Sequence, residues 1–108
     1  MSDYPVPQMD EVQLVDVMRA LADPTRLRIV QILADGVARP KTVDLWDVDI
    51  TKATMSHHFR ILRETGLTRT LVDGRSHAIQ LRRAELDERF PGLVAAVVAG
   101  VGPGAATG

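Results

Sequence analysis

The stretch Thr51-Lys-Ala-Thr-Met-Ser-His-His-Phe-Arg-Ile-Leu-Arg-Glu-Thr-Gly66 decides the fold of this chain. Met55, Phe59 and Leu62 are spaced at i, i+4 and i+7, which puts them on one face of an α-helix. Threonine is a residue type that caps helix N-termini, and glycine is a type that ends helices. We therefore predict a helix from Thr51 to Gly66 with one buried apolar face.

The opposite face of this helix carries polar and charged side chains. At about 100° per residue, Ala53, His57, Arg60 and Glu64 point away from the apolar face, and Ser56 stands beside them. Such an outer face suits the major groove of DNA, and it would equally suit water.

A hairpin is predicted directly after this helix. Residues 67–72 read as a strand in which Leu67 and Leu71 flank Arg69, and Asp73-Gly74 is a strong turn signal because both turn residues must tolerate a positive φ. Residues 75–81 form the return strand, with Ile79 and Leu81 on one face.

Two helices are predicted before the decisive stretch. The first is indicated by apolar residues at a spacing of three, namely Val12, Val15, Met18 and Leu21. Asp23 can cap the second helix, Pro24 suits its first turn, and Gly36 stops it. Between this helix and Thr51, Arg39-Pro40 is predicted to be a turn.

Residues 42–50 and 84–99 complete the element pattern. Thr42 can cap a short helix that reaches Trp46, and we favour the protein core over a small-molecule pocket for Trp46. Asp44, Asp47 and Asp49 favour a solvated face over a cation site, because they lack the glycine and distal glutamate of a calcium loop. One or two helical turns at Leu86 and Phe90 precede a final apolar helix over residues 93–99.

This order of elements predicts a mainly α fold with a small β-hairpin wing, a winged helix-turn-helix. The domain spans residues 9–99. Residues 1–8 are predicted to be a flexible N-terminal arm, and the glycine-rich residues 100–108 a disordered tail. The final helix is too short to span a membrane, and a dimer interface best explains its apolar surface.

Charge is segregated along the chain, although its net value is only −1. Residues 52–83 carry seven basic side chains against Glu64 and Asp73, a balance of +5, whereas residues 1–51 carry five basic side chains against nine acids. A local basic surface of this kind indicates a polyanionic partner, although a solvated basic face has the same charge pattern.

Composition excludes several classes of protein. The 108 residues include no cysteine, which removes disulfides, thiolate metal sites and cysteine nucleophiles. The N-terminus has neither a basic start nor an apolar run typical of a signal peptide, so we expect a cytoplasmic protein. Ser56 and His57 are neighbours on one helix without an oxyanion loop, so we do not expect an enzyme.

Three motifs resemble the ArsR family of bacterial repressors. The run Ala20-Leu-Ala-Asp-Pro-Thr-Arg-Leu-Arg-Ile29 is similar to that family's second helix, residues 54–67 to its recognition helix, and Asp73-Gly-Arg75 to its wing tip. The resemblance covers residues 10–95. It implies a homodimeric winged helix that binds double-stranded DNA and represses transcription. In this family a metal often releases the repressor from the DNA.

The resemblance does not extend to the residues that bind metal in other members of the family. Metal-sensing members of the family have a cysteine pair before the recognition helix, where this chain reads Val43-Asp-Leu-Trp-Asp-Val48. Other members bind zinc through the last helix, which contains no histidine here. Adjacent side chains such as His57 and His58 point about 100° apart and would chelate one ion poorly. We therefore predict no metal and no cofactor.

The sequence thus predicts a sequence-specific regulator that binds an inverted-repeat operator as a homodimer. The predicted DNA contacts are Lys52, Thr54, Ser56, His57, Arg60 and Arg75. The predicted dimer contacts are Val12, Val15, Met18, Leu93, Val94 and Val97. Two alternatives remain open: a winged helix that binds a protein instead of DNA, and a metal sensor without thiols. The predicted partners of the repressor also include an unknown small-molecule effector.

Overall fold

The computed structural model describes residues 4–41, Trp46 and residues 51–100. A short 3-10 helix, Met9–Glu11, precedes the main elements. These are α1 (Leu14–Leu21), α2 (Pro24–Ile32), β1 (Arg39–Pro40), α3 (Lys52–Glu64), β2 (Thr68–Asp73), β3 (Ser76–Leu81), α4 (Arg83–Arg89) and α5 (Leu93–Ala99). The predicted mainly α fold with a hairpin wing is confirmed, and "wing" hereafter means β2, β3 and the turn that joins them.

Side-chain caps fix the start of two of the helices. The Asp23 carboxylate accepts the amide of Arg26 at 3.0 Å at the start of α2, and Pro24 is the first helical residue. The Thr51 hydroxyl accepts the amide of Thr54 at 3.2 Å at the start of α3. Both helix starts therefore lie where the sequence predicts them.

The first helix begins later than predicted. The backbones of Val12 and Gln13 are extended, and the amide of Val12 is bonded to the carbonyl of Met9 in the 3-10 turn. As a result α1 starts at Leu14, and Val12 lies before the helix rather than on its apolar face.

The sheet contains one strand that the sequence did not predict. The strand order is β1-β3-β2, and both pairings are antiparallel. Arg39 pairs with Ile79 and Pro40 with Ala78, so the predicted turn at Arg39-Pro40 was wrong. Proline lacks an amide hydrogen but is tolerated in a strand at the edge of a sheet.

The wing turn lies one residue later than predicted, and pairing with β3 determines which face of β2 is buried. Asp73 pairs with Ser76, so the two turn residues are Gly74 and Arg75, and Gly74 has a φ of 61°. Thr70 lies opposite Ile79 and therefore shares its buried face. The threonines of β2, rather than Leu71, point into the core.

The core is built around the apolar face of α3. Met55, Phe59 and Leu62 are buried as predicted, together with Ile79 and Leu81 of the wing. Trp46 is fully buried, and its ring meets that of Phe59 edge-on at 5.4 Å, which confirms the predicted core position. The proposed Thr42 cap and the three aspartates of residues 44–49 lie outside the described residues.

Two segments near the ends of the described chain pack against the rest of the domain. Within the predicted flexible arm, Pro7 accepts a hydrogen bond from Arg82, and the ring of Tyr4 lies against Arg63. Val12 and Val94, both predicted to contact a second chain, are only 2% exposed within this one. None of the described helices is long and apolar enough to cross a membrane.

Candidate nucleic-acid interface

Helix α3 presents its predicted outer face to solvent. Exposed side chains on it include all five residues predicted to contact DNA from this helix: Lys52, Thr54, Ser56, His57 and Arg60. Arg75 is exposed at the wing turn. The helix therefore has the amphipathic arrangement that the sequence predicted, with its buried stripe toward the core.

A groove runs between α3 and the wing. Two adjoining depressions share Lys41, Ala53, Ser56 and His77 in their walls. We call them together the basic groove, whose polar and charged residues are Tyr4, Lys41, Lys52, Ser56, His57, Arg60, Arg63, Arg75 and His77. It brings together five of the six residues predicted to contact DNA. Thr54 does not line it and lies beside Thr51 at the first turn of α3.

Among the described residues, the cations of the basic groove have no acidic partners. The described residues of its walls include five lysines and arginines and no Asp or Glu. Elsewhere in the described part of the chain, Arg19, Arg39, Arg69, Arg82 and Arg83 each form an ion pair with a carboxylate. None of the five groove cations forms an ion pair with a carboxylate of the described residues. The groove thus concentrates positive charge that the described part of the chain leaves without carboxylate partners.

Four groove residues were absent from the predicted site: Tyr4, Lys41, Arg63 and His77. Arg63 and His77 belong to the basic stretch of residues 52–83, so local charge could have indicated them. Lys41 reaches the groove because its amide donates to the carbonyl of His77 at 3.4 Å, continuing the pairing of β1 with β3. No local pattern in the sequence could have indicated this long-range pairing or the position of Tyr4.

Lys41 occupies an unusual position for a lysine. Its Nζ lies 5.5 Å from the ring centroid of Tyr4 and 5.6 Å from that of Phe59. Burial among these groups lowers the pKa of Lys41, and the positive charge of Arg63 lowers it further. The aromatic rings favour the ammonium through cation–π attraction, but they do not neutralise its charge.

The two adjacent histidines of α3 have different environments. His57 is exposed in the groove, whereas His58 is buried and touches α2. Arg26 Nη1 lies 3.2 Å from His58 Nδ1 and can only donate, so Nδ1 is the acceptor and the ring is neutral. Burial lowers the pKa of His58; Arg26 and His57 lower it further, while Asp23 opposes them. His58 therefore joins α2 to α3 and does not face the groove.

The residues of this chain do not fit the metal site that the family resemblance suggests. The sequence contains no cysteine to supply a thiolate. Among the described residues, no three histidine or carboxylate side chains come together as a set that could hold a metal ion.

Known proteins resemble this chain in the helix-turn-helix part of the fold and along most of its length. Residues 21–70 match the family model described as a helix-turn-helix domain, which spans α2 and α3. The chain is 33% identical over 91 residues to the HTH-type transcriptional regulator YceK of Bacillus subtilis, covering 81% of this chain and 88% of that protein. It is 36% identical over 92 residues to the HTH-type transcriptional regulator CmtR of Mycobacterium tuberculosis, covering 85% and 77%.

Two further similarities come from a named repressor and from a solved structure. The arsenical resistance operon repressor of Staphylococcus aureus is 32% identical over 86 residues, covering 79% of this chain and 81% of that protein. The solved structure of an ArsR-like transcriptional regulator from Rhodococcus sp. RHA1 shares the fold with a TM-score of 0.59 at 24% sequence identity. That similarity covers 70% of this chain and 71% of the other.

Proposed function

The chain belongs to the ArsR family of helix-turn-helix transcriptional regulators, and on that premise we propose that it is a repressor that binds an inverted-repeat operator as a homodimer. In this proposal α3 enters the major groove of DNA and the wing contacts the flanking backbone. The repressor role is supported by the relative from Staphylococcus aureus, whose name describes an operon repressor. Occupation of the promoter would block transcription, and an effector would act by lowering the affinity for DNA.

The observation that carries this proposal is the unneutralised charge of the basic groove. A polyanion that follows α3 would meet Lys52 at the start of the helix and Arg60 about two turns further along it. Arg75 would reach the same polyanion from the wing. Arginine and lysine supply phosphate contacts, and histidine, serine and arginine on the helix can bond to base edges. A partner protein would need a matching set of carboxylates, whereas any duplex supplies phosphates along its whole length.

Two apolar surfaces support the homodimer. Leu14, Val15 and Met18 of α1 are each about half exposed, and Val98 of α5 is 43% exposed. Exposed apolar patches of this kind mark interaction surfaces on soluble proteins. Because Val12 and Val94 are buried within one chain, the proposed interface consists of Val15, Met18, Leu93 and Val97, the other four residues predicted to contact a second chain.

The experiment that tests the proposal is a pull-down of fragmented genomic DNA from the source organism with the purified protein. We expect enrichment of a promoter fragment that contains an inverted repeat, with half-sites about 10 base pairs apart or a multiple of that. Light scattering of the same protein should give twice the chain mass of 11.8 kDa. A clean monomer, or a protein that enriches no sequence and does not shift duplex DNA at low salt, would refute the proposal.

A further inference from the structure

We propose that Lys41 and Arg63 together form a seat for one phosphate of the DNA backbone, and that the ring of Tyr4 holds the two cations in place. The inference rests on the proposed function, because it names a contact within the same DNA interface. It adds three residues that neither the sequence motifs nor the outer face of α3 had assigned to DNA binding.

The first observation is that two like charges lie against the same aromatic ring. Arg63 Cζ lies 4.8 Å from the centroid of the Tyr4 ring, and Lys41 Nζ lies 5.5 Å from the same centroid. Both side chains also line the same depression, and like charges that share a site repel each other unless an anion binds beside them. Neither has a carboxylate partner within the described residues, although the chain as a whole is slightly acidic.

The second observation is the position of this pair within the basic groove. Lys41 lines both depressions of the groove, and Arg63 lies one helical turn beyond Arg60 on α3. His77 of the wing closes the groove opposite α3 and lies 5.7 Å from Tyr4, ring centroid to ring centroid. A DNA strand that passes between α3 and the wing would therefore place a phosphodiester against Lys41 and Arg63.

The geometry also distinguishes Lys41 from an ordinary surface lysine. Its ammonium is held between Tyr4 and Phe59, so it does not have to lose the freedom of a solvated side chain when an anion binds. A preorganised charge of this kind contributes to affinity without reading the base sequence. The seat is therefore expected to strengthen binding to every duplex.

The test measures the affinity of the full chain for a mixed-sequence duplex by fluorescence anisotropy across a salt series. Because a phosphate contact is independent of sequence, the operator need not be known. We expect K41M/R63M to reduce the slope of log K against log salt by about one unit. Between about 50 and 200 mM salt, the variant should then lose about 3.5-fold less affinity than wild type. Tyr4→Phe should retain the wild-type slope, because it keeps the ring.

The matched control is Arg39→Met in β1, two residues before Lys41. Arg39 is paired with Asp35 at 2.6 Å and lies outside the groove, so its loss should leave the slope unchanged. Circular dichroism should show that all variants are folded. If wild type and Arg39→Met bind with equal slopes and K41M/R63M has that slope too, the phosphate seat is refuted while DNA binding stands. If wild type does not bind the duplex at low salt, the proposed function itself fails.

Discussion

Arg82 and Pro7 lie 75 residues apart in the sequence, yet Arg82 Nη1 donates a hydrogen bond to the carbonyl oxygen of Pro7 at 2.8 Å. The same guanidinium, only 4% exposed, bonds to the carboxylate of Glu85 at 2.9 Å. The Arg82 side chain thus ties the N-terminal segment to the start of α4. The Arg82 hydrogen bond to Glu85 lowers the pKa of that carboxyl; desolvation opposes the shift, and the charges of Arg82 and Arg69 reinforce it.

Replacing Arg82 by methionine should destabilise the fold. Removing Arg82 takes one of two arginine partners from Glu85, whose side chain is 40% exposed, and leaves the carbonyl of Pro7 without its donor. We therefore expect a loss of about 1–3 kcal/mol. The measurement is the free energy of unfolding from urea denaturation. Arg19→Met is the matched control, because Arg19 is exposed and its pair with Asp16 at 3.9 Å lies at the surface, so its loss should cost about 1 kcal/mol or less. Equal losses for the two variants would contradict the structural role given to Arg82.

Gly66→Ala should be strongly destabilising. Gly66 has a φ of 96°, and an added Cβ would lie 2.3 Å from Cγ2 of Val12, which is itself buried. Left-handed strain costs about 1–2 kcal/mol, and overpacking of the core adds about 1–3 kcal/mol. The control is Gly74→Ala, because Gly74 has a φ of 61° but no atom within 4 Å of the added Cβ, so only the strain remains. Thermal unfolding measures the stability of both variants. A smaller loss of stability in Gly66→Ala than in Gly74→Ala would contradict the close packing of Gly66 against Val12.

His57→Ala and Arg60→Ala should each weaken operator binding by about 1–3 kcal/mol if the side chains bond to base edges. Stability should stay close to wild type, because both side chains are exposed on the outer face of α3. Gel shifts with operator and scrambled duplexes measure the affinity and its sequence dependence. Glu64→Ala is the control on the same helix, since a carboxylate contributes no attraction to phosphates. Wild-type operator affinity in both variants would mean that this face of α3 does not contact DNA.

Acidification should destabilise the protein through His58. The folded protein holds the pKa of His58 below its ordinary value of 6.5, so the unfolded chain takes up a proton first as pH falls. The stability contributed by neutral His58 is therefore present above about pH 6.5 and is lost as pH falls below it. The groups that face this ring are Asp23 and Arg26 of α2 and His57 of α3.

The measurement for His58 is the free energy of unfolding between about pH 7.5 and pH 5.5, a range centred on the ordinary histidine pKa. His58→Gln keeps an acceptor for Arg26 but cannot take up a proton, so its pH dependence should be flatter than that of wild type. His57→Gln removes one of the smaller contributions to the lowered pKa of His58, so its pH dependence should lie between those of wild type and His58→Gln. A His58→Gln variant as sensitive to pH as wild type would show that another group is responsible.

Met18→Asp should convert the proposed dimer to a monomer. Met18 is 54% exposed on α1 beside the equally exposed Val15, and a buried carboxylate at an apolar interface would lack a partner. Light scattering should show the loss of half the mass at micromolar concentration. Val37→Asp is the control, because Val37 is also 54% exposed but lies in the loop before β1. A dimer that survives Met18→Asp would move the interface away from α1.

The sequence by itself determined the elements whose signals lie within a few residues of one another. Thr51 and Gly66 bound α3, Asp23 and Pro24 start α2, and the last helix runs over residues 93–99 as predicted. Caps, prolines and apolar spacing act through neighbouring residues of the chain, so they can be read without knowledge of the tertiary structure. The exposed outer face of α3 follows from the same periodicity.

Tertiary structure alone decided which residues from distant parts of the chain join the groove or pack against each other. The pairing of Arg39 with Ile79 turns a predicted turn into a strand and brings Lys41 to the groove, although the two paired residues are forty positions apart. The position of Val12 depends likewise on its contact with Gly66, and that of Tyr4 on Arg63. Strand pairing and core packing join distant parts of the chain and depend on the complete arrangement of elements, so no local pattern encodes them.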